Sequence, residues 1–344
     1  MSVIGSNILA GSSGSGNGTT VIAVGHATSP YLSLYPWSSD GFGTKYSNPA
    51  SLPTSALFSV AWSPDGADLA GSGGTSPYIE VWPWSSSGFG TKYSNPSTLP
   101  PDLTYGITFN PSGNVIAAAH ATSPYLGAYP WTSGTGFGTK YANPSVTPSG
   151  SGRGVAFSPD GNNIAVAHHS NPNIAAYSWS NGFGSKYSNP STIPVGNGTD
   201  VQWSPDGNQI VVGHVNSPYV SGYPWSSGFG SKYNNPSTLP PTSTYRVAFS
   251  PDGNDIAIAH GNSPYISVYP WGPAFGTKYA NPSTLPTGTG RGVAFSPDGG
   301  SIAVAHFTSP YITVYEWSSG FGTKYADPST LPTGSGYSVD FKPA

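Results

Sequence analysis

Val247-Ala-Phe249, Ser250-Pro-Asp-Gly253, Ile256-Ala-Ile-Ala-His260, Ser263-Pro264, Tyr265-Ile-Ser-Val-Tyr269, Pro270-Trp271 and Phe275-Gly-Thr-Lys-Tyr279 follow one another along the chain. The first, third, fifth and last of these pieces are short and rich in β-branched and aromatic residues. The pieces between them carry Pro, Asp-Gly or Ser, which set turn dihedrals or bond their own backbone. Four strands of about five residues joined by tight turns make an antiparallel meander. The second strand has unequal faces: Ile256 and Ile258 on one, Ala257 and Ala259 on the other. A sheet covered on both sides reads this way, its small residues admitting the bulky ones of a neighbour.

The same pieces return from end to end. The third strand ends at Trp37, Trp84, Trp131, Trp179, Trp225, Trp271 and Trp317, at spacings of 46 to 48 residues, and a Lys-Tyr pair follows each time. Seven such sheets around an axis form a β-propeller, in which each unit buries its faces against its neighbours. The period has no linker, so residues 1–344 read as one domain with an N-terminal extension over 1–18. The first unit begins at its second strand, Val21-Ile-Ala-Val24. The chain finishes with Tyr337-Ser-Val-Asp-Phe341, which has the pattern of a first strand. The C-terminus is therefore expected to complete the first blade and close an all-β, seven-bladed ring of four-stranded blades, leaving no open sheet.

The runs Val-Ala-Phe-Ser-Pro-Asp-Gly, Ile-Ala-Val-Ala and Ile-x-Val-Tyr resemble the blade of a WD-repeat propeller. Trp82 stands in the place of that family's Trp, where other blades have Tyr35, Tyr129, Tyr177, Tyr223, Tyr269 and Tyr315. The Gly-His and Trp-Asp signatures of the family do not recur, so its hydrogen-bonding network is not carried over. The near-identity of the units, with Ser-Pro-Tyr and Gly-Phe-Gly-Thr-Lys-Tyr, also resembles highly repetitive propellers of tailed bacteriophages.

Charged residues make up only 7 % of the chain and the formal net charge is −3. That leaves no electrostatic footprint for nucleic acid or an anionic membrane. There is no cysteine, hence no disulfide framework or thiolate chemistry. No apolar run is long enough to insert in a bilayer. Met1–Gly18 has neither a cationic region nor a compact apolar core, so no secretory signal is expected. Synthesis in the cytoplasm, with release by assembly into a virion-type particle or by lysis, is the corresponding expectation.

Most repeated features read as scaffold. Asp65, Asp160, Asp206, Asp252 and Asp298 sit in Ser-Pro-Asp-Gly turns, where Asp bonds the local backbone, and Asn110 replaces Ser in the third unit's turn without a carboxylate. The outer-strand lysines Lys45, Lys92, Lys140, Lys186, Lys232, Lys278 and Lys324 guard sheet edges. His26, His120, His168, His214, His260 and His306 end the second strands, with Gly73 in the remaining blade. Sheets about 10 Å apart cannot bring equivalent imidazoles within a metal's bonds of about 2 Å, so no metal or other cofactor is expected.

Two candidate binding sites remain. In five blades a His and the Tyr of Ser-Pro-Tyr flank one turn: His26 with Tyr31, His120 with Tyr125, His214 with Tyr219, His260 with Tyr265, and His306 with Tyr311. Such pairs are either packing or small amphipathic platforms. The other candidate is a variable column four residues before the first-strand aromatic: Phe58, Tyr105, Arg153, Thr199, Tyr245, Arg291 and Tyr337. In WD-repeat propellers that strand lies nearest the axis, which implies a ring of Arg and Tyr at one channel mouth. No paired acids and no phosphate loop point to catalysis. The expected function is therefore a non-enzymatic, monomeric, virion-type structural or receptor-facing module that takes a protein ligand through one face. A multivalent lectin taking a glycan is the alternative, and a propeller hydrolase or lyase comes third.

Overall fold

The computed structural model describes residues 20–344. The extension over 1–18, with the expectation that it holds no secretory signal, lies outside them. Among the described residues there is no helix, and the strands assemble into seven antiparallel sheets arranged as blades. The closing blade is built as expected. Gly336–Phe341 pairs with Thr20–His26, which pairs with Leu32–Ser38 and then Gly41–Phe42. Lys342 N donates to Val21 O at 2.7 Å, extending the junction by one bond.

The core lies between blades. Between the third and fourth blades, Ala117, Ala119 and Ala128 face Ile164, Val166, Tyr177 and Trp179, all buried. Small residues of one sheet thus meet large residues of the next, and the same pairing recurs around the ring. The third-strand aromatic of most blades is fully buried, and its polar tip reaches the connection entering its own blade. Tyr35, Tyr223, Tyr269 and Tyr315 each donate a hydroxyl to a Thr carbonyl at 2.8 Å. Trp82 does the same work with its indole N–H, donating to Ser51 O at 2.9 Å.

The outer strands are thinner than the sequence suggests, and proline explains the pattern. In the first three blades the outer ladder is two residues long, and in the fifth and sixth it is a single bridge. In the fourth and seventh it runs over four residues, Phe183–Lys186 and Phe321–Lys324. The third strand carries Pro36, Pro83, Pro130, Pro224 and Pro270 in the short cases, but Ser178 and Glu316 in the long ones. A proline at this position has no N–H to give the outer strand.

Carboxylates also tie blades together. Asp68 is buried and accepts from Tyr93 Oη at 2.9 Å and from Trp131 Nε1 of the next blade at 3.0 Å. Asp255 does the same for Tyr279 and Trp317. Asp68→Ala should cost about 3 kcal/mol, since the buried Trp131 indole and the part-buried Tyr93 hydroxyl both lose their acceptor. Urea unfolding checks this, with Asp68→Asn expected to retain most of the stability. A loss below about 1 kcal/mol would contradict the role.

Candidate functional site

The innermost strands, among them Leu57–Trp62, Thr104–Phe109 and Gly152–Phe157, line a central channel. A bulge at the first inward position, followed by ordinary alternation, turns three side chains of each strand toward the axis. The first of the three forms the mouth. Phe58, Tyr105, Arg153, Thr199, Tyr245, Arg291 and Tyr337 line one cavity of about 340 Å³, together with His169, Val215 and Arg246. The variable column of the sequence is thus one wall, seven blades deep in origin.

The mouth has a second source. His169 and Val215 follow the histidine that ends the second strand, as does Phe307 in the seventh blade; the other blades have Ala27, Gly74, Ala121 and Gly261 there. His169 is in neither candidate site read from the sequence, and it follows His168 at the end of a strand whose neighbouring residues face opposite ways. That alternation is what turns it to the channel while His168 is buried. The signal was a second variable column one residue further on.

Arg246 closes the floor. It occupies the middle inward position, which is Gly106, Gly154 and Gly292 in three blades, Ser59 and Ser338 in two, and Asp200 in the fifth. Its Nη1 lies 3.3 Å from Asp200 Oδ1, and its Nη2 reaches across the channel to donate to Tyr105 O at 3.0 Å and Phe58 O at 3.2 Å. Asp200 is 3 % exposed and accepts from Val247 N through Oδ2 at 2.9 Å. Burial pushes its carboxyl up from the ordinary range, and the Arg246 charge opposes that. The close approach of the strands requires glycine beside it: a Cβ on Gly154 would stand 2.4 Å from Asp200 Oδ1. Below the plug is a second cavity of about 380 Å³ that includes Asp340. Burial raises the Asp340 carboxyl to about 7, although Oδ2 accepts from Trp62 N at 3.0 Å.

The chain has three arginines, Arg153, Arg246 and Arg291, and all three line the mouth. Arg153 lies over the Tyr105 ring at 3.6 Å, and Arg291 sits between Tyr245 at 3.8 Å and Phe307 at 4.3 Å. The Nε atoms of Arg153 and Arg291 are buried without a partner, as is Thr199 Oγ1. Arg153 Nη2 donates to His169 Nδ1 at 3.4 Å. Burial, then the Arg153 charge, then His168 lower the His169 imidazole to about 4, so it is neutral at pH 7.

The turn platforms are not present as surfaces. His26, His120, His214, His260 and His306 are all fully buried, while Tyr31, Tyr125, Tyr219, Tyr265 and Tyr311 are half-buried. Each imidazole bonds inside its own blade, and His214 and His260 use both ring nitrogens there. His214 Nδ1 donates to Asn216 O at 2.9 Å, and its Nε2 accepts from Ser221 Oγ at 3.0 Å; His260 repeats this with Asn262 and Ser267. The end of the second strand lies beneath the turn, so the imidazole holds the loop and offers nothing to solvent. The tyrosines follow a cis proline and have φ of 66 to 71°. Among the described residues no group of three or more His, Cys, Asp or Glu is placed to hold a metal ion.

The chain matches no family model and no curated protein. Among solved structures it is similar to a candidate 6-phosphogluconolactonase from Bacteroides uniformis, at 16 % identity and a TM-score of 0.73 over 94 % of this chain and 99 % of that one. It is also similar to the periplasmic gluconolactonase PpgL of Pseudomonas aeruginosa, at 16 % identity and a TM-score of 0.74 over 94 % and 99 %. A candidate 6-phosphogluconolactonase from Bacteroides fragilis gives 14 % and 0.71 over 94 % and 98 %. At such identities the likeness establishes the propeller fold. It adds nothing to the resemblance to WD-repeat or phage propellers. The expectation of a non-enzymatic, virion-type or lectin-like module is contradicted by these three neighbours, each of which is named as a lactonase.

Proposed function

We propose that the protein is a lactone hydrolase whose site is the channel mouth and whose substrate carries a negative charge. The observation that carries the reading is the convergence of every arginine of the chain on one cavity that also holds a neutral histidine. The lactonase names of the neighbouring propellers support the reaction class. Arg246 is already engaged by Asp200 and two carbonyls, so it serves as the floor. Among the described residues Arg153 and Arg291 pair with no carboxylate, and they form the clamp.

Chemistry follows from the Arg153 contact with His169. A bound anion draws the Arg153 guanidinium toward itself, which frees His169 Nδ1 to accept a proton. A water bonded to Nδ1 gives up that proton as its oxygen attacks the lactone carbonyl. Charge developing on the carbonyl oxygen is met by the Arg291 guanidinium. When the ring C–O bond breaks, the leaving oxygen takes the proton back from His169, and the product is a hydroxy acid. Neutralising Arg153 also removes one of the charges that depress His169, so the base strengthens as substrate binds.

The test is hydrolysis of 6-phosphogluconolactone and glucono-δ-lactone by the purified protein. His169→Gln should lower kcat by about 100-fold or more, the usual worth of a positioned base. Arg153→Gln should act mainly on KM. Because the imidazole must be neutral to accept and is held well below its ordinary range, kcat/KM should show no protonation step between about pH 6 and pH 8, where an ordinary histidine would give one. No hydrolysis above buffer, or an unchanged kcat in His169→Gln, refutes the proposal.

A further inference from the structure

The walls of the mouth are unsuited to a bare sugar. Among its lining side chains there is no carboxylate and no carboxamide, the groups that satisfy hydroxyls by accepting and donating in a fixed plane. Guanidinium groups only donate. A polyhydroxylated ring buried here would find only the hydroxyls of Tyr105, Thr199, Tyr245 and Tyr337 and one imidazole nitrogen as side-chain acceptors, and unmatched polar groups discriminate against a ligand.

What the mouth offers instead is a run of rings. Tyr105 stacks on Phe58 with centroids 5.7 Å apart and planes 25° apart. Phe58 meets Tyr337 edge-on at 5.6 Å, and Tyr337 meets Phe307 edge-on at 5.5 Å. Arg153 covers the free end of this arc over Tyr105, and Arg291 covers the other over Phe307. Between the two arginines the rest of the lining above Arg246 is His169, Thr199, Val215 and Tyr245. A flat apolar body laid against the rings would place an attached anion near two guanidinium groups that pair with no carboxylate among the described residues.

We infer that the preferred substrate is an anionic lactone built on an aromatic or similarly flat, apolar ring, rather than a sugar lactone of the kind named for the neighbouring propellers. This rests on the reading of the mouth as a lactone-hydrolysing site. The rings select the body, the arginines select the charge, and His169 stands between the arginines, where the lactone carbonyl would lie.

Four probes separate charge from body: dihydrocoumarin-6-carboxylate, dihydrocoumarin, 6-phosphogluconolactone and glucono-δ-lactone. The carboxylated dihydrocoumarin should have the highest kcat/KM, at least about tenfold above 6-phosphogluconolactone, which is the size of a modest pocket preference. Phe58→Ala should collapse that ratio toward unity, with Phe58→Leu as a second variant if the first folds poorly. A sugar lactone hydrolysed as fast or faster, or a ratio untouched in both Phe58 variants, overturns the inference while leaving the hydrolase reading intact. If no probe is hydrolysed, the hydrolase reading falls. The ligand class is then read from binding, by tyrosine fluorescence, of the ring-opened carboxylated product against 6-phosphogluconate. Tighter binding of the aromatic acid supports the inferred ligand, and equal or weaker binding overturns it.

Discussion

Acidifying the protein from pH 7 to pH 4 should unfold it cooperatively, with a midpoint near pH 5. Burial lowers His26, His120, His214, His260 and His306 from 6.5 to about 4, and His168 shifts the same way. These imidazoles have a lower affinity for protons folded than unfolded. Their stabilisation is therefore complete above pH 6.5 and is lost as pH falls through that value toward the folded one. A drop of this size is worth about 3 kcal/mol per imidazole. Asp340, raised to about 7, and Asp200, raised by burial, act in the opposite sense and offset one or two of the histidines. The remainder is on the order of 10 kcal/mol, comparable with the whole stability of a typical domain. Tryptophan fluorescence against pH checks this directly. A native signal persisting at pH 3 would mean that the imidazoles accept protons in place.

Arg246→Met should be the most damaging single change at the channel. It strands Asp200 in a site 3 % exposed and removes the bonds to Tyr105 and Phe58. Breaking a buried ion pair from one side costs about 3–5 kcal/mol, since the surviving charge has no compensation. The double variant Arg246→Met with Asp200→Asn should recover most of that loss, because the Asn carbonyl can still accept from Val247 N. Denaturant midpoints for the two single variants and the double form a cycle that isolates the pair. A double variant no better than the single would assign the cost to the lost bridging across the channel.

The fold was readable because one period repeats seven times, and any one unit shows four strands and three turns. The mouth was readable for a related reason. Scaffold positions are fixed by packing that every blade shares, so a column running Phe58, Tyr105, Arg153, Thr199 cannot be scaffold. Arg246 and Asp200 lay in an equally variable column, one residue further along, diluted by three glycines. Their partnership spans adjacent blades and appears only when the strands are brought side by side. The sequence left the histidines between packing and platform because period-two alternation states which way a side chain points, not what covers it. A turn folded over the end of a strand buries a residue that the alternation leaves open. The outer ladders depended on a single proline N–H per blade, a donor whose absence matters only once the direction of the third strand's pairing is known.

The closing blade sets the order in which the molecule can be made. Its first strand, Gly336–Phe341, pairs with Thr20–His26 across more than three hundred residues, while every other inner strand pairs with its immediate successor. Six blades can therefore form locally as the ribosome delivers them, but the seventh junction waits for nearly the whole chain. Until then the faces around Ile22, Val24, Val314 and Ile312 are exposed at two open ends. Long-range pairing of this kind slows folding and leaves sheet edges free to capture other chains. Nascent chains stopped short of residue 336 are the species in which aggregation should begin.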